Sequence, residues 1–113
     1  MHEKTATRAI LHRVLQQAGG RHAGRITDVH VALGAVSKYS EERVRFHWAE
    51  LSKGTIAEGA RLHFRTVPVE LQCMACFTKY RPQEEEILCP RCGSSGAKVL
   101  AGEEFYVESL DVA

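Results

Sequence analysis

Four cysteines in two pairs constrain this chain more than anything else in it. Cys73-Met-Ala-Cys76 is followed by twelve residues and then by Cys89-Pro-Arg-Cys92, and these are all the cysteines present. Two Cys-x-x-Cys pairs joined by a loop can bring four thiolates to the corners of a tetrahedron around one soft divalent ion. The spacer is short for such sites, but a tight β-hairpin spans it. Pro90 sets the turn inside the second pair, and Gly93 permits the positive φ that points backbone N–H groups at sulfur. The pattern predicts a closed, structural zinc site held by Cys73, Cys76, Cys89 and Cys92.

Other uses of the cysteines fit less well. Disulfides need an oxidising compartment, and the start Met-His-Glu-Lys-Thr lacks a basic stretch followed by a long apolar one. The chain is therefore expected to work in the cytoplasm, neither exported nor embedded in a membrane. A thioredoxin-like dithiol needs one Cys-x-x-Cys opening a helix after a strand. Here there are two pairs, the second in a Pro/Gly turn. A catalytic zinc keeps an open position, and four thiolates leave none.

The cysteine segment, 69–101, contains few large apolar residues. A piece below about 40 residues usually needs a metal or disulfides to fold. The metal then serves as its core, and metal binding supplies folding free energy on the order of 10 kcal/mol. The remainder, 1–68 with 102–113, has enough Val, Leu, Ile and Phe for one ordinary core. Fifteen Lys and Arg stand against fourteen Asp and Glu, a formal net charge of +1. Nucleic-acid binders normally show a basic surplus, so neither a nucleic acid nor a membrane is expected as partner.

Read in order, Ala6, Ile10, Val14 and Ala18 form one helical apolar row flanked by Leu11 and Leu15, predicting a helix over 5–18 that ends at Gly19-Gly20. A basic loop, 21–25, follows. Residues 26–33 alternate as a strand, with Val29, Val31 and Leu33 on one face and Asp28, His30 and Ala32 on the other. Ser40-Glu41-Glu42 starts a second helix burying Val44, Trp48 and Leu51. A second strand spans 61–67, and the strand–helix–strand order implies a right-handed crossover with parallel strands. Short strands are expected around the cysteines, at 69–72, 77–80 and 98–100. The last segment, 103–112, is strand-like, with Tyr106, Leu110 and Val112 on one face and Phe105 and Val107 on the other. It is expected to return antiparallel to the first sheet. The fold class is thus α+β: a small three-stranded mixed sheet with two helices on one face, interrupted by an inserted zinc-ribbon module. The first domain is expected to comprise 1–68 and 102–113, and the inserted zinc ribbon 69–101.

The amino terminus is the other place where the residues allow metal chemistry. In Met1-His2-Glu3 the α-amine and the deprotonated His2 amide close a five-membered chelate ring, and that amide with the His2 imidazole closes a six-membered one. A flat set of nitrogens suits Ni(II) or Cu(II) and not tetrahedral Zn(II). The fourth donor could be the Glu3 amide or a second histidine. The bulk of His2 should keep Met1 in place. The alternative is a polar lead-in to the helix.

Taken together, Met1-His2-Glu3 before a helix, a strand ending Val31-Ala-Leu-Gly34, then Val69-Glu-Leu-Gln-Cys73, the Cys89-Pro-x-Cys92 pair and a terminal Glu104-x-x-x-Glu108-Ser-Leu110 strand resemble the HypA/HybF family of NiFe-hydrogenase maturation proteins across essentially the whole chain. The resemblance implies a nickel metallochaperone acting with the GTPase HypB to load the hydrogenase large-subunit precursor, as a monomer or weak homodimer. It assigns nickel binding to Met1, His2 and Glu3, and zinc to the four cysteines. Some members carry a histidine beside each Cys-x-x-Cys; those places are Phe77 and Gly93 here, so no ligand exchange or pH sensing through such histidines is implied. Glu3 is read as a second-shell or partner-facing group, with its backbone nitrogen as the potential ligand.

The remaining histidines, His12, His22, His30, His47 and His63, read as surface or packed residues, with His47 a possible neighbour of the nickel site. Glu84-Glu85-Glu86 reads as a solvated hairpin tip, or as a contact for a basic partner. A zinc-ribbon docking module without a second metal, binding nucleic acid or protein, is the alternative function. No nucleophile–base set supports an enzyme.

Overall fold

A computed structural model of the chain describes residues 2–19, 24–82 and 87–113, with the His2 side chain also outside the described part. Met1, Arg21, His22 and the Glu84–Glu86 run therefore lie outside it.

Helix α1 spans His2–Gly19, three residues longer at its start than the apolar periodicity alone predicts. Ile10, Leu11, Val14 and Ala18 form its buried face. Strand β1, Ile26–Gly34, pairs parallel with β2, Arg61–Val67, as the crossover rule requires. Helix α2, Glu41–Leu51, makes that crossover. Ser40 caps it, its hydroxyl accepting from the Arg43 N–H at 3.2 Å, and Glu41 and Glu42 sit where the helix dipole favours negative charge. Val44 and Trp48 are buried; Leu51 is only half-buried and packs at the edge of the same core.

The final strand, β6, Phe105–Val112, pairs antiparallel with β1, completing a sheet of order β2-β1-β6. One expectation is corrected here. A strict period of two places Tyr106 with Leu110 and Val112. Instead Phe105, Val107, Leu110 and Val112 all pack on the core, and Tyr106 is exposed. The ladder pairs His30 with Ser109 and Val31 with Val107, so Glu108 is an extra, unpaired residue. Such a bulge shifts every residue before it to the opposite face. A matching irregularity at Thr27 lets both Ile26 and Val29 point inward.

Both helices lie on the Val29/Val31 side, where α1, α2 and all three strands contribute to one core. The opposite face of the sheet carries Asp28, His30, Arg61, His63, Arg65 and Asp111, and no helix of the described residues covers it.

A second sheet follows β2. Its central strand is β3, Glu70–Cys73, flanked antiparallel by β4, Lys79–Tyr80, and β5, Ala97–Ala101. Its buried cluster is Leu71, Cys73, Tyr80 and Cys89. Half of that cluster is cysteine, so apolar burial alone gives it little to fold on. The two sheets share no strand. The Cα radius of gyration is 17.6 Å, well above the roughly 13 Å of a compact chain this long, and the principal extents are 55 × 27 × 18 Å.

The chain crosses between the sheets at a tight backbone junction. Val36 N–H donates to the Gly102 carbonyl at 2.8 Å, Gly34 N–H to Glu104 O at 2.7 Å, and Ala35 N–H to Val67 O at 2.8 Å. Gly34 and Gly102 touch there: a Cβ on Gly34 would overlap the Gly102 carbonyl, and one on Gly102 would reach Val69 Cα at 2.9 Å. No helix of the described residues is long and apolar enough to cross a membrane.

Candidate metal centres

The two cysteine pairs fold as matching turns. In the first, Phe77 N–H donates to Cys73 O at 2.9 Å; in the second, Gly93 N–H donates to Cys89 O at 2.9 Å. Both donors take positive φ, 77° at Gly93 as its glycine implies, but also 64° at Phe77. A side chain in the left-handed region costs about 1–2 kcal/mol, so the first turn holds a strain that the second avoids. The benefit is geometric. Reversal of the chain after each pair turns N–H groups inward, and Ala75 and Cys76 N–H lie 3.4 and 3.5 Å from Cys73 Sγ.

The turns face each other. Cys73 Sγ is 3.5 Å from Cys92 Sγ, Cys76 Sγ is 3.6 Å from Cys89 Sγ, and all four sulfurs lie within 4.8 Å of one another. A tetrahedron with metal–sulfur bonds of ~2.3 Å has edges of ~3.8 Å. The observed spacing fits that figure. Cys73 and Cys89 are buried, Cys76 is half-buried and Cys92 is exposed. The site is thus anchored on one side and open on the Cys92 side.

Without an ion the four thiols cannot ionise independently. The Thr78 hydroxyl, 3.2 Å from Cys76 Sγ, and the Thr78 backbone bring Cys76 down to about 6. The Cys73 thiol is also lowered, first by the Cys76 N–H. At Cys92 the Ser94 N–H works in the same direction, but the neighbouring cysteines, Cys73 foremost, overcome it and push the thiol to about 12. The last proton is hard to lose because negative charge has already gathered around it, and a divalent cation reverses that balance. Thr78 is a participant that sequence pattern does not reveal, since a threonine two residues after a cysteine is unremarkable.

At the amino terminus, Met1 and the His2 side chain lie outside the described residues, so no contact of theirs with a metal is described. The His2 backbone opens α1. Glu3 is described, and its carboxylate faces the start of α2. Its side chain is only 11% exposed, with Oε2 accepting from Ser40 N–H at 3.0 Å and Oε1 from Arg43 Nη1 at 3.2 Å. The carboxylate thus ties the first turn of α1 to the first turn of α2. Ser40 N–H, then Arg43, and more weakly His47, hold its carboxyl below the ordinary 4.5, against the opposing effect of burial. His47 therefore belongs to the surroundings of Glu3.

The sign of the pH effect follows. A carboxyl depressed in the folded state stabilises fully above its unfolded value and loses that contribution as pH falls through the folded one. Glu3→Gln is expected to lower the thermal midpoint at pH 7. The gap from the unsubstituted protein should close as pH drops below about 4.5. A gap independent of pH in a series of melts would show that the charge on Glu3 contributes nothing.

The family model described as "Hydrogenase/urease nickel incorporation, metallochaperone, hypA" matches residues 1–112. The hydrogenase maturation factor HypA of Geobacter sulfurreducens is 37% identical over 112 residues, covering 99% of both chains. That of Caldanaerobacter subterraneus subsp. tengcongensis is 32% identical over 113 residues, with 99% of each covered. The solution structure of the Ni metallochaperone HypA from Helicobacter pylori superposes with a TM-score of 0.73 at 20% identity, covering 97% of this chain and 96% of that one. A second HypA solution structure gives 0.79 at 22% identity, with 100% and 97% covered. At those identities the structures speak for the fold, which they share. The match along nearly the whole length, with the four-sulfur cluster in place, means that the chain belongs to the HypA family of hydrogenase/urease nickel-incorporation metallochaperones.

Proposed function

We propose that this protein carries Ni(II) at its amino terminus and delivers it, with a HypB-type GTPase, to a hydrogenase large-subunit precursor in the cytoplasm. The donors are the Met1 amine, the His2 amide and imidazole, and the Glu3 amide. Residues 1–68 with 102–113 serve as the nickel-carrying domain and 69–101 as the zinc ribbon. Zinc bound by Cys73, Cys76, Cys89 and Cys92 is structural. The role is capture and hand-over of an ion, not bond making, and the working form is a monomer or weak homodimer.

The observation that carries this reading is the start of α1 at His2. The first N–H groups of a helix have no intrahelical acceptor, so the His2 and Glu3 amides lie outside the hydrogen-bond ladder. A deprotonated amide is an anion, and the positive end of a helix favours negative charge. The buried Glu3 carboxylate, accepting from Ser40 N–H and Arg43, holds the backbone of this turn in place beside the donors. Because the donors lose protons on binding, affinity falls as pH drops, which permits release.

Acetylating the Met1 amine removes it from the chelate. It is expected to weaken Ni(II) binding by more than the roughly 10–100-fold that a second-shell change costs, with helix content and zinc content unchanged. His2→Ala should lose the amino-terminal nickel and keep zinc. Unchanged nickel titrations for both forms would sink the amino-terminal assignment.

A further inference from the structure

The uncovered face of the first sheet carries a set of metal-ligating side chains that neither the amino terminus nor the cysteines use. β1 and β2 run parallel in register, so His30 stands directly opposite His63. The rings stack with centroids 4.9 Å apart and planes inclined by 18°. Both side chains remain open to solvent, 39% and 48% exposed.

Each ring is oriented by a different carboxylate. His30 Nε2 is 3.0 Å from Asp111 Oδ2, and His63 Nε2 is 2.7 Å from Asp28 Oδ1. A carboxylate only accepts, so each Nε2 carries the proton and, in the neutral ring, Nδ1 carries the lone pair. This carboxylate–histidine arrangement fixes tautomer and raises ligand basicity in metal sites. Here it occurs twice, side by side.

Glu108, displaced from the ladder by the bulge, lines the same cavity of about 350 Å³ with His30, His63, Arg65 and Ser109. Arg65 holds Glu108 at 2.9 Å, and Arg61 lies 3.5 Å from Asp28. Three carboxylates thus face two guanidinium groups, and the excess is negative. The local charge favours a cation.

We propose that His30 and His63 form a second site for a divalent transition ion, bound through the two Nδ1 atoms, with Glu108 or water completing the shell. Imidazole nitrogen suits Ni(II) and Zn(II). Adjacent ligands at ~2.1 Å bonds lie ~3 Å apart, so a tilt of two exposed rings closes the site. The proposal does not depend on the amino-terminal chelate.

The test uses the full, zinc-loaded chain carrying His2→Ala, which removes the amino-terminal imidazole, titrated with Ni(II) alone. Calorimetry is expected to show one remaining equivalent. Ni(II), being paramagnetic, should first broaden the ring signals of His30 and His63. His30→Ala and His63→Ala should each weaken binding at least ~10-fold. If a His30 or His63 variant fails to fold, the broadening pattern in the His2→Ala chain decides. Absence of binding, broadening centred on His12, His22 or His47, or affinity unmoved in folded variants would overturn the site.

Discussion

Cys89→Ala is expected to release the bound metal and collapse the second sheet while the first survives. Among the described residues, the β3-β4-β5 sheet buries only Leu71, Cys73, Tyr80 and Cys89 in its centre. A metal tie worth on the order of 10 kcal/mol is comparable with the entire stability of an ordinary domain, about 5–15 kcal/mol. Without it, the residual apolar contacts do not meet the ordering cost of the segment. The first sheet has its own core of Val14, Val29, Val31, Val44 and Trp48 and draws nothing from the cysteines. Amide spectra should therefore lose dispersion for residues 70–101 and keep it for α1, β1, α2 and β2, with metal content falling to background. Simultaneous loss of both sheets would mean that they fold as one unit.

Gly34→Ala is expected to be as damaging, for a different reason. The added methyl would fall on the Gly102 carbonyl, which is backbone and cannot swing aside. That carbonyl also accepts the Val36 N–H, so a shift breaks a junction hydrogen bond as well. A loss beyond about 4 kcal/mol is in the range reserved for such overlaps. Gly19→Ala is the control: among the described residues no atom lies within 4 Å of the new Cβ. At a helix end it should be neutral or stabilising by up to about 1 kcal/mol. Similar denaturation midpoints for the two variants would refute the overlap.

Much of this architecture is legible in residue pattern. Apolar periodicity gives α1 and α2, the crossover gives the parallel pair, and the cysteine spacing gives the four-sulfur cluster. What escapes depends on single inserted residues and on contacts between distant segments. The bulge at Glu108 reverses the facing of Phe105 and Tyr106, and nothing local distinguishes that glutamate from its neighbours. Glu3 looks like an exposed acid because its partners, Ser40 and Arg43, are brought to it only by packing of the helices. His30 and His63 each read as ordinary outward residues. Their stacking becomes visible only when β1 and β2 are aligned in register. Phe77 in a left-handed conformation is likewise invisible, since sequence argues for glycine there.

The pairing of Ile26 with Val112 has a consequence for how the molecule is made. Synthesis is vectorial, and β6 leaves the ribosome after β1 to β5. The cysteine-bearing insert is complete before the strand that seals the amino-terminal sheet exists. Until then β1 presents one unsatisfied edge to its surroundings. A nascent chain thus has all four cysteines in hand while its amino-terminal sheet is still unfinished.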